Sequence, residues 1–218
     1  MTCGYTPILL SAEILFWSLL LQSIVGTGIG WLLARKQFLG KGALDGLVTI
    51  PLIFPPIVIG YALLMALGRN GWLSGLIPEL IRPNVVFTTT GLIVAAFVAG
   101  LPLMVKPVQA AFAEVPRRLH EAAATLGYSK WAIFCAVDLP LIRKGLAAGL
   151  ILSGGRALGE VGISLMLGGN IADRTETLSL AIYNQVMDGQ FDCANELSLL
   201  LALFAGLSFY VLRRYGAL

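Results

Sequence analysis

Hydrophobic and polar positions along this chain fall into long blocks, not into the short alternation that marks strands. Apolar runs cover about Ala12 to Ala34, Leu47 to Leu67, Thr89 to Ala111, Ile142 to Gly169 and Leu197 to Leu212. Each is near the roughly 20 residues a helix needs to cross a bilayer. The polar stretch from Pro116 to Pro140 has its own helical code. Pro116 suits a first helical turn, and Leu119, Ala122, Ala123 and Leu126 recur at i, i+3, i+4 and i+7. Gly127 is a natural C-terminal stop. Ser129 can cap a second short helix carrying Trp131 and Phe134, until Leu139-Pro140 turns the chain back. The pattern predicts an all-α polytopic membrane bundle of about five transmembrane helices, one domain over 1–218, with an amphipathic helical hairpin at 116–140.

Composition agrees. The chain is 57% hydrophobic and 12% charged, with mean hydropathy +0.84, against about 25% charged residues in ordinary soluble domains. A net charge of +3 gives no nucleic-acid signal. There is no GxxxxGK[ST] loop, so any ATP must be handled by another chain. The first eleven residues hold no Lys or Arg, and the apolar run that follows is too long and lacks a small-residue cleavage pattern, which argues against a removable signal peptide.

The runs are individually marked. Gly26 and Gly30 have the GxxxG spacing that lets helices pack closely in lipid. Pro51, Pro55 and Pro56 predict a kinked second segment whose freed carbonyls must be buried in protein or line a wet path. Arg69 to about Thr88 reads as an external loop with Trp72 as an interfacial anchor. The third segment carries Pro102 and Pro107, with Lys106 near its inner end.

The fourth segment is the least ordinary. Arg156 and Glu160 lie four residues apart, on one helix face. Ionised groups at membrane depth usually face a bundle interior or water. They can hold the bundle together as an ion pair, or Arg156 can add positive potential to an anion path with Glu160 restraining it. Gly145 with Gly149, and Gly155 with Gly159, repeat the small-xxx-small spacing and predict tight packing on two sides. Between Asn170 and Asn195, Leu178, Ala181 and Ile182 suggest a short helix or re-entrant turn.

With the N-terminus outside, the inner side holds eleven basic residues: Arg35, Lys36, Lys41, Lys106, Arg117, Arg118, Lys130, Arg143, Lys144, Arg213 and Arg214. The outer side holds three: Arg69, Arg82 and Arg174. The positive-inside rule selects this orientation, which puts Pro116 to Pro140 and the C-terminus in the cytoplasm. Cys135 is then cytoplasmic and reduced, whereas Cys3 and Cys193 are external and could pair. His120 has no neighbour at metal-site spacing and reads as a surface residue of the hairpin.

Glu121-Ala122-Ala123, then Gly127, then Val137-Asp138-Leu139-Pro140 resemble the EAA loop of ABC-importer permeases. The likeness extends over most of the chain. Gly40-Lys41, Leu52 to Pro56 running on to Tyr61, Gly68-Arg69-Asn70-Gly71, Leu101 to Val105 and Arg156 to Gly162 together are similar to the molybdate-importer permease family. The resemblance implies a homodimer with the pathway between subunits, cytoplasmic ABC ATPase subunits, and an external oxyanion-binding protein. It implies no cofactor and no catalytic residue in this chain. The coupling residues would be Glu121, Ala122, Ala123, Gly127, Leu139 and Pro140, and those of the pathway Arg156, Gly159, Glu160 and Asn170. Val161 stands where that family usually has Phe, and Gly168-Gly169-Asn170 resembles tungstate permeases, so tungstate and sulfate or thiosulfate stay open beside molybdate. A secondary transporter or channel would more often show inverted repeats or coupling acids. A membrane enzyme would need a nucleophile with a base, or clustered ligands. The sequence shows neither set.

Overall fold

The computed structural model describes residue 4 and residues 6–69, 71–72 and 85–214, and among these the regular structure is entirely helical. Helix α1 (Thr6–Leu21) passes through a π-helical turn at Gln22–Gly26 into α2 (Thr27–Arg35). Then come α3 (Lys41–Ile53), α4 (Pro56–Leu67), α5 (Thr89–Glu114), α6 (Arg117–Thr125) and α7 (Lys130–Ile133). A second π-helical turn, Phe134–Asp138, leads into α8 (Leu139–Leu158), followed by α9 (Gly162–Gly168), α10 (Leu178–Met187) and α11 (Phe191–Arg214).

Among the described residues, three stretches are long and apolar enough to cross a membrane: Thr6–Arg35, Thr89–Glu114 and Phe191–Val211. They are buried to different extents, 56% of the most apolar window in α5 against 22% in the first and 11% in the last. Helix α5 is therefore the axis of the bundle. Small residues make this work. A Cβ on Gly30 would lie 2.9 Å from Val108, and one on Gly149 2.8 Å from the Met104 sulfur. Glycines from α2 and α8 thus admit the α5 side chains Met104, Val105 and Val108 at backbone distance, as the GxxxG spacing of the first segment predicted. By contrast α11 leaves Leu199, Leu203 and Leu207 more than 60% exposed, a face suited to lipid or to another chain.

Four expectations are refined. The second segment is broken, not merely kinked: α3 stops at Ile53 and α4 restarts at Pro56. The fourth segment, which the pattern ran through unbroken, is interrupted at Gly159 to Val161. Gly145 and Gly149 pack tightly as predicted, but Gly155 has nothing within 4 Å of its Cβ position and Gly159 meets only the Gly155 carbonyl, at 3.5 Å. Leu139-Pro140 does not turn the chain. The π turn carries the helix straight through from Lys130 to Leu158, with Pro140 in the first turn of α8, where its missing N–H is harmless.

The last polar region folds as the short helix α10, capped by the Thr177 hydroxyl, which accepts from Leu180 N–H. Cys193 is disulfide-bonded and Cys135 is free. Cys3, like Arg82 and most of the expected Arg69 to Thr88 loop, lies outside the described residues.

Candidate functional site

Two parts of the molecule carry the chemistry the sequence singled out. The first is where the two interrupted segments meet. Helix α4 begins with Pro55 in an extended conformation (φ −55°, ψ 132°) and Pro56 in the first turn. Helix α9 begins after Gly159 to Val161, and the Glu160 carboxylate accepts the Ile163 N–H through Oε1 at 2.7 Å. Its other oxygen, Oε2, pairs with Arg156 Nη1. Glu160 is 2% exposed, so a carboxylate here requires both partners. At the end of α8, Ser179 Oγ donates to the Leu158 carbonyl at 2.6 Å.

The two breaks are neighbours. A Cβ on Gly60 of α4 would sit 2.9 Å from the Ile163 Cα, and one on Gly162 3.0 Å from the Ile57 nitrogen and the Pro56 Cβ. The backbones of α4 and α9 therefore touch. The Arg156 side chain keeps 27% of its surface exposed, and the adjoining Gly155 and Leu152 positions face outward from the single chain. Arg156, Gly159 and Glu160 thus form one site. Asn170 belongs to another. It follows α9 with φ +51° after Gly169 at φ +75°, a helix end of the left-handed kind. Its amide is engaged with Asn184, each donating to the other at 2.8 and 3.1 Å, and Asn184 also donates to Glu176 at 2.6 Å.

The second part is the hairpin. Helix α6 ends in a Schellman arrangement: Gly127 N–H donates to the Ala124 carbonyl at 3.0 Å and Tyr128 N–H to the Ala123 carbonyl at 3.1 Å. Gly127 has φ +82°, the region where an L side chain is strained. Ser129 Oγ accepts from Ala132 N–H, as the pattern predicted. Glu121 and Ala122 point outward while Ala123 is buried, so the helix offers its acidic and small-residue side to whatever lies beyond the chain. Leu139 and Pro140 lie at the start of α8 and are exposed.

Sequence reasoning named Asp138 only within the loop motif and foresaw none of its contacts. Asp138 is 4% exposed, accepts from His120 Nε2 at 2.9 Å, and lies 3.5 Å from Arg35 Nη2. Arg35 Nη1 also donates to the Val115 carbonyl at 3.0 Å. One carboxylate ties together the end of α2, helix α6 and the entry to α8, and His120 faces it instead of standing free on the surface. Asp45 was missed altogether, and it holds Lys106 at 2.7 Å, joining α3 to α5. Partners so distant in sequence leave no spacing signal. The only available clue was an acid beside the Leu139-Pro140 pair.

Residues 26–215 match the family described as binding-protein-dependent transport system inner membrane component. The match takes in both helix breaks and the whole hairpin. The chain belongs to that family. This inner membrane component is 38% identical over 191 residues to the molybdenum transport system permease protein ModB of Haemophilus influenzae, covering 88% of this chain and 80% of that one. It is 36% identical over 211 residues to the ModB of Azotobacter vinelandii, covering 95% and 93%. Among solved structures, a chain of the MetNI methionine ABC transporter in inward-facing conformations is similar in fold, with TM-score 0.68 and 21% identity over 96% of this chain and 92% of that one.

Proposed function

We propose that the chain is the permease subunit of an ATP-driven importer that takes molybdate into the cytoplasm. It works as a homodimer, with ATPase subunits on the cytoplasmic hairpin and an oxyanion-binding protein outside. The observation that carries the reading is the partly exposed Arg156 beside paired helix breaks: a cation restrained by Glu160, where interrupted helices meet, offers positive potential to an anion without holding it fast. The open Gly155 and Gly159 positions supply a smooth face on which a second copy can close the pathway. Eleven inner basic residues against three outer ones support an external N-terminus and a cytoplasmic C-terminus.

The hairpin is joined to the site by an unbroken rod. From Lys130 to Leu158 the chain is continuously helical, roughly 40 Å at 1.5 Å per residue. Closure of two ATPases around Glu121, Ala122 and Ala123 would swing this rod and move Arg156 against its opposite number, opening and closing the path in turn. A tungstate importer is the second reading, favoured by Val161 and by Gly168-Gly169-Asn170, which turns the chain out of α9 through two left-handed residues.

The deciding experiment is ATP turnover in vesicles holding this chain with its ATPase, with external binding proteins loaded with molybdate, tungstate or sulfate. Stimulation by the molybdate-loaded protein is expected. Stimulation by the tungstate- or sulfate-loaded protein alone overturns the substrate, and failure of any ATPase to associate overturns the importer. Gly127→Val should leave ATP hydrolysis running while uptake falls, because strain at φ +82° spoils the turn that aims α6. Normal uptake in that variant removes the coupling role.

A further inference from the structure

At the hairpin end of the bundle lies a cavity of about 820 Å³ whose wall includes Glu121 of the coupling helix, and whose basic and aromatic lining has no part in the roles above. Its walls come from the end of α2, from α6, and from α7 with the turn that follows it. Four cations line it: Arg35, Lys36, Arg117 and Lys130. The acids in the same wall are Asp138, already engaged by Arg35 and His120, and Glu121, so the lining carries an excess of positive charge. Arg35 spends Nη1 on Val115 and leans toward Asp138, yet its Nε is buried with no hydrogen-bond partner. A buried guanidinium edge without an acceptor is costly unless something supplies one.

The rest of the lining is apolar and aromatic: Trp31, Trp131, Ile133 and Phe134. Lys36 sits over the Trp31 ring at 5.7 Å, and Trp131 stacks on Phe134 at 5.5 Å. Trp31 belongs to the first membrane-length stretch and Arg35 ends it, which places the cavity at the boundary between hydrocarbon and water. Cations at that depth above an aromatic floor fit a phosphate joined to a glycerol and its first methylenes better than a free ion, which gains nothing from the apolar walls. Lipid is also the one anion present there at permanently high local concentration. We propose that this cavity binds the headgroup of an anionic phospholipid, with the phosphodiester against Arg35, Arg117 and Lys130 and the glycerol backbone on Trp31 and Trp131. A lipid so held braces α6 against α2. This role rests on the importer reading; the binding does not, and it is tested first on the chain alone and then with the ATPase assembled.

The test is native mass spectrometry of the purified full chain, titrated with phosphatidylglycerol or phosphatidylcholine. One phosphatidylglycerol should be retained in preference to phosphatidylcholine. Arg117→Gln with Lys130→Gln should weaken it about thirtyfold, each basic residue near the membrane surface contributing about fivefold. Arg213→Gln with Arg214→Gln removes the same charge at the end of α11 and should leave retention within about twofold. Thermal unfolding checks that the variants are folded; should the hairpin pair fail, Lys36→Gln alone should weaken retention about fivefold. Equal retention of the two lipids, or an equal loss in the α11 variant, overturns the site. So does displacement of the lipid by millimolar inorganic phosphate, which would make it a soluble-anion site. Loss of the lipid when the ATPase assembles on the chain overturns it as well, because the cavity would then belong to that partner.

Discussion

Between α3 and α4 the helix stops at Phe54-Pro55, and between α8 and α9 it stops at Gly159 to Val161. The two interruptions lie against one another, yet they are closed by different chemistry. At the first, Pro55 and Pro56 lack N–H groups, so two of the donors a helix start leaves open do not exist. No side chain caps it. At the second, Val161, Gly162 and Ile163 all keep their N–H groups. A buried carboxylate takes one of them at Ile163, and that carboxylate in turn needs Arg156. A break made by proline is chemically silent, whereas a break made by glycine recruits an acceptor, and the acceptor recruits a cation. The charge at this junction therefore belongs to one segment only, and it is the charge the proposed transport function uses.

The comparison can be broken experimentally. Glu160→Ala should have the largest effect, about 3–5 kcal/mol of stability in detergent-titrated unfolding, because it strips Arg156 of its partner and opens the α9 cap together. Glu160→Gln sharpens this result: the amide oxygen can still accept from Ile163, so a loss as large as that of the alanine variant would assign the whole effect to charge. Gly60→Val comes next, about 1–3 kcal/mol in the same measurement, since its side chain must enter a contact of 2.9 Å with Ile163 and Met166. Ser179→Ala should lose about 1 kcal/mol, with faster amide hydrogen exchange at the start of α10. Pro56→Ala should do least, about 0.5 kcal/mol, through the unfolded chain alone. If it rivals Glu160→Ala, the proline break is not silent.

Much of this was legible in the sequence, for stated reasons. Block hydrophobicity located the long helices, because length in an apolar solvent admits few alternatives. Gly26 and Gly30 announced their contact with α5, and Gly127 and Ser129 announced the two ends of the hairpin turn, because these are local rules read within a few residues. The interruption at Gly159 was not legible. Nothing in Leu158-Gly159-Glu160-Val161 forbids a helix; the break is held by Ser179 and by the close approach of α4, both distant in the chain. The contacts of Asp138 and Asp45 escaped for the same reason. The open Gly155 and Gly159 show the limit from the other side: spacing marks a face as able to pack, and cannot say whether its partner is in the same molecule.

The π-helical turn at Gln22–Gly26 has an effect well beyond its five residues. Gln22 is fully buried within it and donates to the Ala96 and Phe97 carbonyls of α5 at 2.9 and 3.2 Å, so the turn is pinned in place. Relative to a regular helix it threads one extra residue into the rod, and one residue is about 100° of rotation. It acts as a phase setting between the two halves of the first span. Rewind it as regular helix with all its residues kept and the half before it keeps its seat, while Gly30 turns off Val108 and Arg35 swings away from Val115 and Asp138 together.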